Sequence, residues 1–170
     1  MRRVVEEEDF FGRAQRNDRE ARYPAESIAA LKAIGVPGMA IAARHGGPGH
    51  SVATQARVIE AIAHGDPSTA ACVNMHWVVA DIIGEHADEH PAQSALLRDC
   101  AERGAMFAGG AAIPAYLLDP ARAGARFRRV EHGWRGSGRV GFATNAEGAS
   151  YVGTIAAVVG ADGEPIGSRV

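Results

Sequence analysis

Along the first part of the chain apolar positions recur at helical spacing; along the rest they form short runs broken by glycine. Met1 to Arg22 carry six arginines against six carboxylates, with Phe10 and Phe11 the only aromatics, and predict a solvated helix or a loosely held arm. Pro24 suits a first helical turn, where no amide donor is needed. Ile28, Leu31 and Ile34 then recur at three-residue steps up to Gly35, a C-cap residue. Beyond the apolar stretch Met39–Ala43, His45-Gly-Gly-Pro-Gly-His50 lacks the spacing of a phosphate cradle and predicts a helix–helix connector. Ser51 is an N-cap candidate, and Val52, Ala56, Ile59 and Ala63 behind it mark one buried helix face.

Asp66-Pro67-Ser68 restarts the chain with a cap and a first-turn proline, predicting a helix to about Glu85. Its middle, Cys72–Ala80, is apolar nearly all round, as in a central helix. Pro91–Gly104 supports one more short helix through Leu96, Leu97 and Cys100. Then the character changes. Phe107–Ile113 is too short and glycine-rich for a helix, and Arg126–Glu131, Gly138–Thr144 and Tyr151–Val159 predict strands. Asp162-Gly163 signals a hairpin whose second strand begins at Ile166. The expected class is α+β: an N-terminal all-α helical domain over residues 1–104, then a partial antiparallel β domain over 105–170. Three or four strands leave open edges of the kind folded proteins cover, so a second chain or a second copy is expected to complete the sheet.

Composition acts mainly by exclusion. A hydrophobic fraction of 46% is enough for a buried core, and a net charge of −2 leaves no electrostatic footprint for nucleic acid or an anionic membrane. The N-terminus has no apolar signal-peptide core, and no apolar run approaches membrane-spanning length, so a soluble, cytoplasmic protein is expected. Cys72 and Cys100 lie far apart, form no CxxC motif and read as small core residues.

Three places carry candidate chemistry. His76 is the one histidine of the central helix and, with Asn74 and Trp77, makes its polar–aromatic cluster; a satisfied core histidine and a working one are both consistent with the pattern. His86-Ala-Asp-Glu89-His90 has the H-x-x-E-H spacing of some zinc hydrolases. However, Pro91 disfavours a helical conformation at His90 and no third ligand is evident, so a surface junction without metal is expected. The third place, His132–Asn145, holds four glycines in fourteen residues. Phe142 and Thr144 leave it on one face of a predicted strand, as an ordinary sheet face or as an aromatic and a hydroxyl able to meet a planar cofactor.

The order of elements, with P-A-E-S-I-A-A-L-K-A-I-G at Pro24–Gly35, H-G-G-P-G at His45–Gly49 and G-D-P-S-T-A at Gly65–Ala70, resembles the acyl-CoA dehydrogenase superfamily. The likeness runs from about Ala21 to Gly163, over the family's N-terminal helical domain and the start of its middle β domain. His132–Asn145 is similar to the family stretch GxKxWITN. That resemblance implies that Phe142, Ala143 and Thr144 lie against the isoalloxazine ring of FAD, the hydroxyl and a backbone amide near its N5 edge. It implies an acyl-CoA or carrier-bound substrate, and a partner chain or homo-oligomer supplying the remaining helical domain with its glutamate base. There are departures: Val140 stands where the family has lysine, and Ala112–Leu118 reads A-I-P-A-Y-L-L in place of TEPxxGSD. Relaxed forms of that loop resemble the flavin-dependent monooxygenase branch, in which His76, as a catalytic candidate, and Trp77 would face substrate. A non-catalytic interaction module using the open sheet edge is the remaining reading.

Overall fold

The computed structural model describes residues 1–110, 124–139, 142–154 and 156–169, which form two compact units. The first takes in residues 1–108 and the return of the chain at 145–151. Six helices build it: α1 (Arg2–Glu7), α2 (Phe10–Glu20), α3 (Ala25–Ala33), α4 (Val52–Ala63), α5 (Pro67–Gly84) and α6 (Pro91–Arg103), with 3₁₀ turns at Val36–Ala40 and Ala43–His45. The acidic–basic N-terminus is two helices rather than an arm. Phe10 is fully buried, and Arg13 and Arg16 of α2 pair with Glu26 of α3.

The capping residues act as their chemistry dictates. The Ser51 side chain accepts from the Thr54 amide at the start of α4. Asp66 accepts from the Ser68 and Thr69 amides and from the Thr69 hydroxyl. Gly104, at φ +65°, closes α6 in the left-handed conformation that glycine adopts without a Cβ penalty. The expected face of α4 needs correction: Val52 is 74% exposed and Ala56 is also exposed, while Ile59 and Ala63 are only partly buried. Val58, Ala61 and Ile62 face the core instead, with Val58 and Ile62 in one cluster with Phe10, Leu31 and Trp77. Trp77, Phe10, Leu31 and Ile62 centre one core cluster; Leu97, Cys100 and Phe107 centre another.

The second unit, residues 109–144 and 152–170, is built on a four-stranded sheet of order β3-β2-β5-β6. Here β2 is Ala125–Val130, β3 Gly133–Gly138, β5 Ala156–Val159 and β6 Pro165–Arg169. β2 and β3 form a hairpin across Glu131-His132, and β5 and β6 turn through the expected Asp162-Gly163, where Gly163 sits at φ +85°. The central β2–β5 pairing is parallel, so the sheet is mixed where an antiparallel one was expected. All four residues of β5 are buried, the continuous apolar run of a strand covered on both faces. The predicted strand Tyr151–Val159 is two strands: β4 (Tyr151–Thr154) pairs with β1 (Phe107–Gly110), and β5 joins the larger sheet. Among the described residues β3 and β6 are the edges of that sheet.

Candidate functional site

His76 is part of a buried polar knot, and it is not presented to a substrate. Its exposure is zero, Nε2 donates to the Pro37 carbonyl at 2.9 Å, and Nδ1 accepts the Phe107 amide at 3.0 Å. Those two bonds define one neutral tautomer. Burial pushes its pKa down to about 4, and the Phe107 ring stacks on it at 5.8 Å. Trp77 is equally enclosed, its Nε1–H shared between the Val36 and Pro37 carbonyls at 3.2 and 3.3 Å. The expectation that His76 and Trp77 face a substrate therefore fails for a physical reason. Both rings spend their polar atoms satisfying backbone groups that α5 would otherwise leave orphaned in the core.

Asn145 completes this knot from the far end of the chain, and sequence reasoning missed it. It is buried and sits at φ +70°, a region in which asparagine is enriched among non-glycine residues. Its Oδ1 accepts the Tyr23 hydroxyl at 2.6 Å, and its Nδ2 donates to the Phe107 carbonyl at 3.0 Å. Phe107 is thus held through its amide by His76 and through its carbonyl by Asn145. The available signal was an asparagine at the end of the glycine-rich stretch, a residue type suited to a left-handed turn.

Phe142, Ala143 and Thr144 precede that anchor, in the second unit. They do not form one strand face: β3 ends at Gly138, and Phe142 lies in the left-handed region at φ +54°. Phe142 is 88% exposed. Thr144 is half-buried and bridges Gly109 antiparallel, its amide donating to the Gly109 carbonyl at 3.1 Å and accepting from the Gly109 amide at 3.2 Å through its own carbonyl. The Thr144 hydroxyl has no partner among the described residues. The two positions that depart from the related motifs, Val140 and Ala112–Leu118, lie outside the described residues.

Elsewhere in the helical unit a cleft of about 250 Å³ is lined by Ile41, Arg44, His45, Ala80, Asp81 and Leu97, among others. Burial, and then the charge of Glu85, raises the Asp81 carboxyl pKa. Buried His45 meets the Ser94 hydroxyl at 3.0 Å through Nδ1, and Arg44 pairs with Asp88 at 2.9 Å. His86 and His90 are exposed in the turn after α5. Among the described residues no three His, Cys, Asp or Glu side chains group as metal ligands, and no helix is long and apolar enough to cross a membrane.

Residues 1–104 match the family described as acyl-CoA dehydrogenase, N-terminal domain. YdbM of Bacillus subtilis (strain 168), whose name places it with the acyl-CoA dehydrogenases, is 29% identical over 147 residues, 85% of this chain and 38% of YdbM. Among solved structures, XiaF from Streptomyces sp., in complex with FADH2 and glycerol, superposes with a TM-score of 0.75 at 24% identity over 98% of this chain and 40% of its own. The methanesulfinate monooxygenase MsuC from Pseudomonas fluorescens gives 0.76 at 20% identity over 99% and 40%. The chain thus spans less than half the length of these relatives.

Proposed function

The chain belongs to the acyl-CoA dehydrogenase family, and from that premise we propose that Phe142, Ala143 and Thr144 form one wall of a flavin site, with FAD as the occupant. The enzyme so formed is an oxidoreductase acting on an acyl thioester or a related carrier-bound substrate. One observation carries the reading: Phe142 is a large aromatic left 88% exposed in left-handed backbone, two residues before a pinned Thr144. Such a conformation costs about 1–3 kcal/mol for a non-glycine residue and clusters at ligand clamps. The FADH2 held by XiaF supports a flavin as what the clamp meets.

The residues fit a planar heteroaromatic ring through two groups. The Phe142 ring is free to pack on its face, and the Thr144 hydroxyl is free to donate to a ring heteroatom. The Thr144 amide is not available for that task, since it is committed to the Gly109 carbonyl. A bound flavin supplies two-electron oxidation of substrate or, once reduced, activation of oxygen. His76 is not the base in this reading, since both its ring nitrogens are occupied, and the base and the remaining walls lie outside these 170 residues.

The test is to purify the chain with its partner and FAD and to record the visible absorption spectrum. A yellow complex is expected, with flavin content reduced by Phe142→Ala and Thr144→Val. A colourless complex sinks the proposal and leaves the non-catalytic interaction module. The likeness to MsuC favours a second reading, a flavin-dependent monooxygenase subunit. Anaerobic bleaching by an acyl thioester marks the dehydrogenase; a requirement for pre-reduced flavin and oxygen marks the monooxygenase.

A further inference from the structure

The β2–β3 hairpin carries charge that its own strands do not neutralise. Register sets Arg128 directly opposite Arg135. Directly opposed side chains share a face with Cβ atoms about 5 Å apart, and like charges so placed weaken the pairing. Both arginines are exposed, and among the described residues neither has a carboxylate partner. Glu131, the carboxylate at the turn, sits beside His132 at 3.7 Å. The next pair on the same face is Arg126 with Ser137. Arg129 points to the opposite face, its guanidinium 5.5 Å from the Trp134 ring centroid. Beside Arg135 on the charged face stands Gly133, and nothing lies within 4 Å of where its Cβ would be. The repelling pair therefore borders open ground.

We propose that Arg128 and Arg135 form a fork for the phosphoryl group of a small soluble anion, with the Ser137 hydroxyl as a further donor. Each guanidinium offers paired N–H donors in a fixed plane, and a phosphate has enough oxygens to serve both. Its charge of about −1.5 to −2 offsets two arginines at once, whereas a carboxylate offsets only one. The chain as a whole is at −2, which is not the basic balance of a nucleic-acid binder. The assignment does not depend on the flavin reading.

Inorganic pyrophosphate is the probe, followed by calorimetry and by thermal unfolding of the full chain. Saturable binding is expected, weakened at least about tenfold in Arg128→Gln and Arg135→Gln. Arg129→Gln removes the same charge from the other face and should weaken binding less than about twofold. Without ligand, Arg135→Gln should raise the unfolding midpoint because it relieves the repulsion, while pyrophosphate should raise the midpoint of the unmodified chain alone. No saturable binding at millimolar pyrophosphate overturns the fork. Equal weakening by Arg129→Gln overturns it too, because it would mark a diffuse field. So does binding of a single-stranded oligonucleotide or of anionic lipid vesicles that pyrophosphate cannot displace.

Discussion

Replacing His76 with leucine removes two hydrogen bonds and leaves their partners in the core. The Phe107 amide loses its acceptor outright, and the Pro37 carbonyl keeps only the longer 3.3 Å bond from Trp77. An orphaned buried polar group costs about 1–3 kcal/mol, so His76→Leu should destabilise by about 2–4 kcal/mol near pH 7.5. Against a total stability of about 5–15 kcal/mol that is a large fraction. Acid should then erase the difference. The folded pKa of His76 lies at about 4, below the ordinary 6.5, so the unfolded chain takes up the proton first as pH falls. Stability from this group is fully present above pH 6.5 and is lost on the way down to about pH 4, a change of about 3 kcal/mol in the unmodified chain that the leucine variant cannot show. Urea unfolding of both proteins from pH 7.5 to 4 measures this: the curves should be well apart at neutral pH and converge toward acid. Equal stability at pH 7.5, or a gap that stays constant with pH, would refute the assignment of His76 as a neutral hydrogen-bonded staple.

Three further outcomes follow from the same packing. Asn145→Ala should destabilise by about 2–4 kcal/mol in urea, and Asn145→Gly by about 1 kcal/mol less, since only the alanine pays for the left-handed backbone. Asp66→Ala, which removes a cap accepting three hydrogen bonds, should cost about 1–3 kcal/mol and lower the thermal midpoint. Burial pushes the Cys72 thiol up to about 11 and the Cys100 thiol up to about 12, so at pH 8 a thiol reagent should label neither in the native chain and both in urea. Prompt native labelling of either would contradict their enclosure.

The helical half was legible because its signals are local. Ser51 and Asp66 cap, Pro67 and Pro91 start helices, and Gly104 ends one, each through bonds or dihedrals set within a few residues. Local pattern misleads where distant partners decide the outcome. On α4 the stripe Val52, Ala56, Ile59 and Ala63 has helical spacing, yet Val58, Ala61 and Ile62 face the core, because the position of the neighbouring helices selects the face. In the second unit, the alternation through Phe142 and Thr144 suggested a strand that the left-handed backbone at Phe142 interrupts. A long apolar run at Tyr151–Val159 concealed a change of sheet.

By itself the sequence determined the order of helices then strands, the caps and turns between them, and the resemblance to a family that the first 104 residues match. Only the tertiary structure decided what His76, Trp77 and Asn145 do. Their partners, Pro37, Phe107 and Tyr23, lie as many as 122 residues away, and no local pattern encodes which distant backbone group a ring nitrogen will meet. The same holds for Arg128 and Arg135: in sequence they are two arginines of a basic stretch, and pairing register alone makes them a facing pair.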